Sequence, residues 1–261
     1  TYSDHYDPSL LVAVPRQAAR DFWPAKKPLP FIGEDSWTGY EISWLDQQGK
    51  PQAGCILLDY SAQTANIVES KSLKLYLNSF NQTALENTNE LIEKISADVA
   101  SIVGGNVQVV FCAAQGDSRL QIQPWTDRCI DNANISINHY EITSALLTCD
   151  TSKTTEQVLI SHLLRSNCPV TGQPDWASVR IAYCGAAINE ENLLRYLCSF
   201  RLHQGFHEQC VERIFCNIWT HCSPEKLSVE GRFTRRGGLD INPFRASHAE
   251  LKPTRARQWR Q

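Results

Sequence analysis

The stretch Leu73-Lys74-Leu75-Tyr76-Leu77-Asn78-Ser79-Phe80 returns 120 positions later as Leu193-Leu194-Arg195-Tyr196-Leu197-Cys198-Ser199-Phe200. Five of the eight positions are identical, and in both copies the apolar residues fall at i, i+3, i+4 and i+7, which is one face of a helix. The repeat predicts two copies of one structural unit. Two unrelated amphipathic helices can match this well by chance, so the flanking segments must decide.

The segments around the first copy alternate between strand and helix patterns. Tyr40, Ile42 and Trp44 alternate with polar residues, and the polar turn 46–51 separates them from the apolar run 55–58, which predicts a β-hairpin. After the repeated helix, the apolar spacing over 91–102 predicts a second helix, which Gly104-Gly105 ends. Residues 107–112 then read as a strand, so the first half has the order β-β-α-α-β.

The second half repeats this order. An apolar run over 159–164, a Pro- and Gly-containing turn over 169–174 and alternation from Val179 to Tyr183 predict a hairpin. Asn189, followed by Glu190 and Glu191, predicts a helix start, since a short polar cap and first-turn carboxylates meet unpaired N–H groups.

An apolar stripe over 211–222 predicts the second helix of this half, and residues 227–233 read as its last strand. The sequence therefore predicts an α+β fold in which helices cover one face of an antiparallel sheet. We expect an irregular lead-in over 1–34, an N-terminal module over 35–135 and a C-terminal module over 136–261.

Composition narrows the class of protein. The 261 residues are 42% hydrophobic and carry a formal charge of -3, which excludes a disordered chain and argues against a general nucleic-acid binder. No run of 18 apolar residues predicts a membrane span. The ten cysteines are too sparse for a disulfide scaffold, and no signal peptide precedes them, so we expect a reducing, cytoplasmic location.

Cys168 and Asp175 are the first candidates for chemistry. Cys168 ends the predicted strand and precedes the turn Pro169-Val170-Thr171-Gly172-Gln173-Pro174, and Asp175 begins the next strand. A hairpin brings two such side chains together, which offers a thiolate nucleophile beside a proton donor. A loop cysteine with a turn-forming aspartate explains the same residues and is the commoner situation.

Three further segments carry polar groups at places suited to ligands. His207-Glu208 opens a helix, where a carboxylate is stabilised and can accept paired N–H donors from a guanine-like edge. Glu69 to Tyr76 opens another, with Ser70 or Ser72 as the expected cap and with Lys71 and Lys74 on one face, which favours phosphate binding. Each also has an ordinary structural explanation: a first-turn Glu and a solvated lysine face.

The last segment is Thr234-Arg235-Arg236-Gly237-Gly238-Leu239-Asp240. Glycine lets backbone approach a ligand closely, and arginine pairs bidentately with phosphate. Taken with the 69–76 segment, the Cys168 loop, the His207-Glu208 pair and the continuation to Arg245, it resembles the NADPH-dependent 7-cyano-7-deazaguanine reductases, the nitrile reductases of queuosine biosynthesis, in their long two-module form.

The resemblance covers most of the chain and implies a fold, an activity and a set of roles. It implies tandem tunnelling-fold modules, a homodimer and four-electron reduction of the nitrile to an aminomethyl group with two NADPH per turnover. By resemblance, Cys168 forms a covalent thioimide and Asp175 supplies the proton. His207 and Glu208, with Val68, Glu69 and Ser70, contact the deazaguanine base, while Ser70, Lys71, Arg236 and Gly237 contact NADPH.

No catalytic metal, no direct nucleic-acid partner and no membrane are expected from this resemblance. Two rival hypotheses remain open. One is a zinc-dependent pterin-type cyclohydrolase on the same fold, with Cys168, His207 and Cys210 as ligands. The other is a non-enzymatic module that binds a deazapurine or nucleotide and in which Cys168 is structural.

Overall fold

The computed structural model describes residues 3–24, 26–114 and 116–261. Contacts divide the chain into two compact units. Unit 1 comprises Thr1–Asp21, Glu34–Gln121 and Arg235–Ile241, and unit 2 comprises Phe22–Gly33, Ile122–Thr234 and Asn242–Gln261. Each unit is built from segments that are distant in sequence. The predicted module boundary at 135/136 stays a prediction.

Unit 1 places two helices against one face of an antiparallel sheet. The elements are β1 (Ala13–Pro15), β2 (Ile32–Leu45, of which Glu34 onward belongs to this unit), β3 (Pro51–Ser61), β4 (Asn66–Val68), α1 (Ser70–Asn78), α2 (Thr88–Val103) and β5 (Val107–Ala113). Strand β2 pairs with β3, β3 pairs with β5, and β1 pairs with β4 in a separate two-stranded ribbon. Apolar residues of both helices and of the three sheet strands share one buried cluster, with Tyr76, Phe80, Leu91 and Ile95 fully enclosed.

Unit 2 also contains a hairpin, two helices and a following strand, and its hairpin strands are longer than those of unit 1. The elements are β6 (Arg128–Cys129), β7 (Cys149–Asn167), β8 (Pro174–Ile188), α3 (Glu190–Cys198), α4 (His207–Cys222), β9 (Lys226–Phe233) and β10 (Leu239–Ala246, which begins in unit 1). The strands β7, β8 and β9 and the end of β10 form antiparallel pairs in that order, and the two-residue strand β6 runs parallel to β7 at the edge. Helix α4 packs against β8 and β9, and α3 against β7.

The predicted repeat is confirmed at the level of backbone angles. Helices α1 and α3 have nine residues each, begin 120 positions apart and end at serines with the same angles, φ -66° and ψ -14°. The hydroxyls of Ser79 and Ser199 each donate to the carbonyl three residues back at 2.6 Å. The edge-to-face ring pairs also match, with centroids 5.4 Å apart in both Tyr76–Phe80 and Tyr196–Phe200.

The C-terminal tail, which has no core pattern in the sequence, is held in unit 2. The Trp125 indole N–H donates to the Thr254 hydroxyl at 3.0 Å, and the Gln258 side chain bonds the backbone of residues 123 and 125. Trp125, Ile160 and Ala256 form a small buried cluster. The tail is therefore fixed by polar contacts with a distant segment, a kind of order that local hydrophobic periodicity does not reveal.

Two further expectations from composition can be compared with the structure. Within the described part of the chain, no helix combines the length and the apolar character needed to cross a membrane. All ten cysteines are present as thiols. The predicted combination of helices with antiparallel strands is confirmed.

Candidate active site

The Cys168 loop is a closed connection between β7 and β8. Ser166 and Asn167 pair with Asp175 and Pro174, and the Cys168 N–H donates to the Gln173 carbonyl at 2.9 Å. Residues 169–173 are exposed, whereas Cys168 is only 9% exposed. The hairpin therefore carries one nearly buried thiol at its end and sets Asp175 directly after the turn, as the sequence predicts.

Asp175 meets a residue from a different element. Its Oδ2 lies 3.2 Å from the Nε2 of His207, the first residue of α4, and their side chains are 3% and 9% exposed. The His207 ring stacks on Phe233 of β9 with ring centroids 3.9 Å apart and planes 6° apart. Stacking fixes the plane of the imidazole and aims Nε2 at the carboxyl group. The sequence assigns roles to both residues but does not predict their contact.

Glu208 and Cys210 extend this buried polar group. Glu208 follows His207 in the first turn of α4 and is 2% exposed. Burial raises the pKa of the Cys210 thiol to about 12, a hydrogen bond with Ser166 opposes the rise, and the charges of Asp175 and Glu208 add to it. Cys210 is thus a protonated thiol at neutral pH beside both carboxylates. Of the two cysteines here, Cys168 is the more accessible one and the better candidate nucleophile.

The start of α1 in unit 1 differs from the expected capping. Glu69, not Ser70 or Ser72, is the cap: its Oε1 and Oε2 accept from the N–H groups of Lys71 and Ser72 at 2.9 and 2.7 Å. The expectation of a serine cap is wrong because the extended backbone of Glu69 lets its longer side chain turn back onto both N–H groups. A phosphate near this helix start would therefore depend on side chains more than on these two N–H groups.

The remaining residues predicted around this helix differ in exposure. Lys71 is exposed, and Ser70 is half-buried. Val68 is 1% exposed and belongs to the core cluster of unit 1, so its side chain packs inside the unit.

The predicted glycine-containing turn lies against the same helix. Arg236 and Leu239 exchange backbone hydrogen bonds around Gly237 and Gly238, whose φ angles are +58° and +81°. Positive φ at both central positions is the type I′ hairpin arrangement, which favours glycine. A Cβ atom on Gly237 would lie 3.1 Å from the Cδ of Lys74, so the turn and α1 are in contact within unit 1.

Cationic side chains are concentrated on this part of unit 1. Lys71 and Lys74 lie on α1, Arg235 stacks its guanidinium 4.6 Å from the centre of the Tyr40 ring, and Arg236 precedes the glycines. Such a group suits a polyanionic ligand. The family resemblance does not assign Lys74 a cofactor contact, although the sequence places it three residues from Lys71 on the same helix face.

Family models match two parts of the chain. The model described as "Nitrile reductase, 7-cyano-7-deazaguanine-reductase N-term" matches residues 2–111, and the model described as "QueF-like protein" matches residues 174–252. Curated relatives match over the whole chain. Proteins named NADPH-dependent 7-cyano-7-deazaguanine reductase from Cupriavidus taiwanensis and Cupriavidus necator are 48% and 47% identical over 100% of this chain and 95% of theirs. One from Burkholderia mallei is 46% identical with the same coverage.

The chain belongs to the NADPH-dependent 7-cyano-7-deazaguanine reductase family. It is thus a member of a family of NADPH-dependent oxidoreductases, as the sequence predicts. Within this reductase, Asp175, His207, Glu208 and the Arg236-Gly237 turn lie inside the second matched region, and the segment 69–71 lies inside the first. Cys168 falls between the two matched regions, but the full-length relatives align across it.

The rival zinc arrangement does not form in the reductase. In residues 3–24, 26–114 and 116–261, the group of three ligand atoms within 4.8 Å of one another belongs to Cys129, Asp131 and His162, not to Cys168, His207 and Cys210. The Nε2 of His207 lies 3.2 Å from the Oδ2 of Asp175, so this ring nitrogen is aimed at a carboxyl group and not at a cysteine.

Proposed function

We propose that this chain reduces the nitrile of 7-cyano-7-deazaguanine to the aminomethyl group, a four-electron reduction that uses two NADPH per turnover. The names of its full-length relatives support the substrate and the cofactor. The observation that carries the chemistry is the buried contact between Asp175 and His207 beside the hairpin that bears Cys168. A carboxyl group that is shielded from water and held beside an imidazole can act as a general acid.

Cys168 is the proposed nucleophile. Its sulfur adds to the nitrile carbon while Asp175 gives one proton to the nitrile nitrogen. The thiol proton of Cys168 replaces the proton that Asp175 gave, so the product is a neutral thioimide and no atom is lost. A nitrile accepts hydride poorly, whereas the protonated thioimide is more electrophilic, so covalent attachment replaces one difficult step with easier ones.

Asp175 is the proposed proton donor, and His207 holds it in place. Asp175 delivers the proton that reaches the nitrile nitrogen, and its Oδ2 lies 3.2 Å from Nε2 of His207. Phe233 keeps the imidazole plane fixed, so Nε2 stays aimed at the carboxyl group. Reduction of the thioimide is followed by expulsion of the Cys168 thiolate, which leaves an imine for the second reduction.

Recognition of the base is assigned to Glu208 and His207, with Val68, Glu69 and Ser70. A carboxylate that is 2% exposed and stabilised by a helix start fits an N–H-rich purine edge. In Glu69, each carboxylate oxygen already accepts one backbone N–H, which fixes its orientation, and it retains a further lone pair for a ligand.

NADPH, when bound, supplies hydride, one from each of the two molecules used per turnover. The residues of unit 1 fit such a polyanion, because Ser70 and Lys71 begin α1, and Arg236 and Gly237 form the turn that contacts Lys74. These side chains pair with phosphates, and the glycine turn leaves room for close approach of the backbone.

The repeated order of helices and strands supports the tandem tunnelling fold. We infer this fold and a homodimer from the family and from the repeat. The matching helix lengths, end angles and ring pairs of the two units are what a tandem duplication predicts. The ten thiols support a reducing, cytoplasmic setting.

Mass spectrometry tests the mechanism directly. Incubation with saturating nitrile and without NADPH is expected to add one intact substrate to the peptide that contains Cys168. Cys168→Ala should lose both the adduct and turnover, whereas Cys210→Ser should keep the adduct, since the Cys210 thiol stays protonated. An unmodified Cys168 peptide, or turnover by Cys168→Ala, rejects covalent catalysis; absence of NADPH oxidation would instead favour the binding-module hypothesis.

A further inference from the structure

A second group of reactive side chains lies in unit 2 and uses none of the residues assigned to the reaction. The Cys129 Sγ, one Asp131 carboxylate oxygen and one His162 ring nitrogen all lie within 4.8 Å of one another. Cys129 is exposed, and the other two are half-buried. A sulfur, an oxygen and a nitrogen at this spacing form the ligand types of zinc and related divalent cations.

The local fold explains why the three meet. Strand β6 runs parallel to β7 with Cys129 opposite Ile160, and His162 lies two residues beyond Ile160. Ile130 is 3% exposed, so the alternation of an extended chain turns residues 129 and 131 to the other side. A register shift between Ser161 and Leu164 in β7 re-aims His162 out of the regular ladder.

Asp131 is held in place before any cation binds. Its Oδ1 accepts from the Ser161 hydroxyl at 2.6 Å, and its Oδ2 accepts from the His162 backbone N–H at 2.8 Å. A carboxylate oxygen accepts more than one partner, so each keeps a lone pair for a cation. The bond to His162 also locks the aspartate to the residue whose ring is the next ligand.

His162 is prepared in the same way. Its Nδ1 lies 2.8 Å from the Ser178 hydroxyl, and a proton on Nδ1 leaves the Nε2 lone pair available. Metal-binding histidines commonly have such a partner on the other ring nitrogen. The hydrogen bond to Ser178 therefore orients the ring for a metal bond through Nε2.

The charges of the three proposed ligands suit a divalent cation. Arg260 donates to the His162 carbonyl at 2.8 Å and is a positive charge close to one of these ligands. A divalent ion that displaces the thiol proton meets one thiolate and one carboxylate, which balance its charge.

We propose that Cys129, Asp131 and His162 bind a thiophilic divalent cation, zinc being the expected one, with the fourth position open to solvent. Binding exchanges the thiol proton for a metal–sulfur bond and changes no oxidation state. The ion would tie the two-residue strand β6 to β7. Its expected role is therefore to stabilise unit 2, not to take part in nitrile reduction.

Cobalt titration of the purified full chain is the primary test. One equivalent of Co²⁺ should give a thiolate-to-cobalt charge-transfer band, and Zn²⁺ should displace it. Cys129→Ser should lose the band, and both His162→Ala and Ser178→Ala should weaken binding at least about tenfold. Cys184→Ser is the matched control, because Cys184 also has a carboxylate neighbour, Glu225 at 3.9 Å, and its variant should titrate like the parent protein.

Thermal unfolding gives a second readout that does not depend on cobalt. Zn²⁺ should raise the Tm of the parent protein and of Cys184→Ser and Cys168→Ala, and leave that of Cys129→Ser unchanged, because a ligand stabilises only the state that binds it. Retention of the cobalt band by Cys129→Ser, or its loss in Cys184→Ser, overturns the assignment. Failure of the adduct test on Cys168 would leave the expected results of the cobalt titration and of thermal unfolding unchanged.

Discussion

The hairpin turn between β2 and β3 and the hairpin loop between β7 and β8 occupy the same place in the duplicated order of elements. In unit 1, the Asp46 carboxylate closes the turn by accepting from the N–H groups of Gln48 and Lys50, and everything that it binds is local. In unit 2, the loop ends bury Cys168 and Asp175, and Asp175 reaches His207, 32 positions away.

The beginnings of α2 and α4 differ in the same sense. Asn87 caps α2 by accepting from two backbone N–H groups, and Glu90 in its first turn is partly exposed. In α4 the cap residue Phe206 has no polar side chain, the Gln209 side chain accepts from its N–H at 3.0 Å, and the first turn buries His207 and Glu208. Burial of ionisable groups lowers stability unless they are paired or hydrogen-bonded. In unit 1, the hairpin turn and the first turn of α2 form without burying such groups. The buried groups of unit 2 are therefore best explained by chemistry.

Asp175→Asn is the largest expected effect on activity. It removes the proton at the proposed donor and keeps the shape, so kcat should fall about 100- to 10,000-fold. Gln52→Ala is the matched variant in unit 1, since Gln52 opens the return strand of that hairpin as Asp175 does. It should leave kcat within about twofold. Steady-state NADPH oxidation measures both, and equal losses would remove the contrast between the two hairpins.

Phe80→Ala and Phe200→Ala test whether the repeated helix packing of the two units is equally stable. Both rings are fully buried and pack edge-to-face on the equivalent tyrosine, so each substitution should lower the free energy of unfolding by about 3–5 kcal/mol. Because the surroundings repeat, the two losses should agree within about 1 kcal/mol. Urea unfolding gives the values, and a loss in one unit only would mean that the repeat is one of shape and not of energetics.

Glu208→Ala tests base recognition at the helix start. If Glu208 accepts charge-assisted hydrogen bonds, its removal should weaken binding of the deazaguanine by about 1.5–3 kcal/mol. Glu90→Ala, in the first turn of α2, is the control and should leave affinity unchanged. Isothermal titration on the Cys168→Ala background separates affinity from reaction, and unchanged affinity in Glu208→Ala would reject the anchor role.

The helices and hairpins are predictable from the sequence because the signals for them are local. Helices α1 to α4 and both hairpins follow from periodicity, glycine stops and caps, all of which act over a few residues. Strand β10 does not, because Pro243 interrupts the alternation of Leu239 and Ile241 and argues against a strand. The order of the C-terminal tail depends on hydrogen bonds to residues more than 120 positions away.

The candidate site is predictable as a set of residue types but not as a geometry. Hairpin logic places Asp175 beside the Cys168 loop, yet no periodicity relates it to His207, whose position depends on where α4 packs on β8 and β9. The Glu69 cap escaped prediction for a different reason: serine is the usual cap, and a glutamate reaches back only when its own backbone is extended.

Lys71→Ala and Arg236→Ala carry the smallest expected effect and test the cationic group of unit 1. Each should raise KM for NADPH more than for NADH, by about fivefold, since an exposed charge pair contributes little in water. Glu191→Ala is the control, because Glu191 occupies the position of Lys71 in α3 and bears the opposite charge. If the NADPH preference arises from the charges on α1 and its neighbouring turn, added salt should narrow the difference between the parent protein and both variants. Equal shifts for the two cofactors would show that these side chains do not contact the additional phosphate.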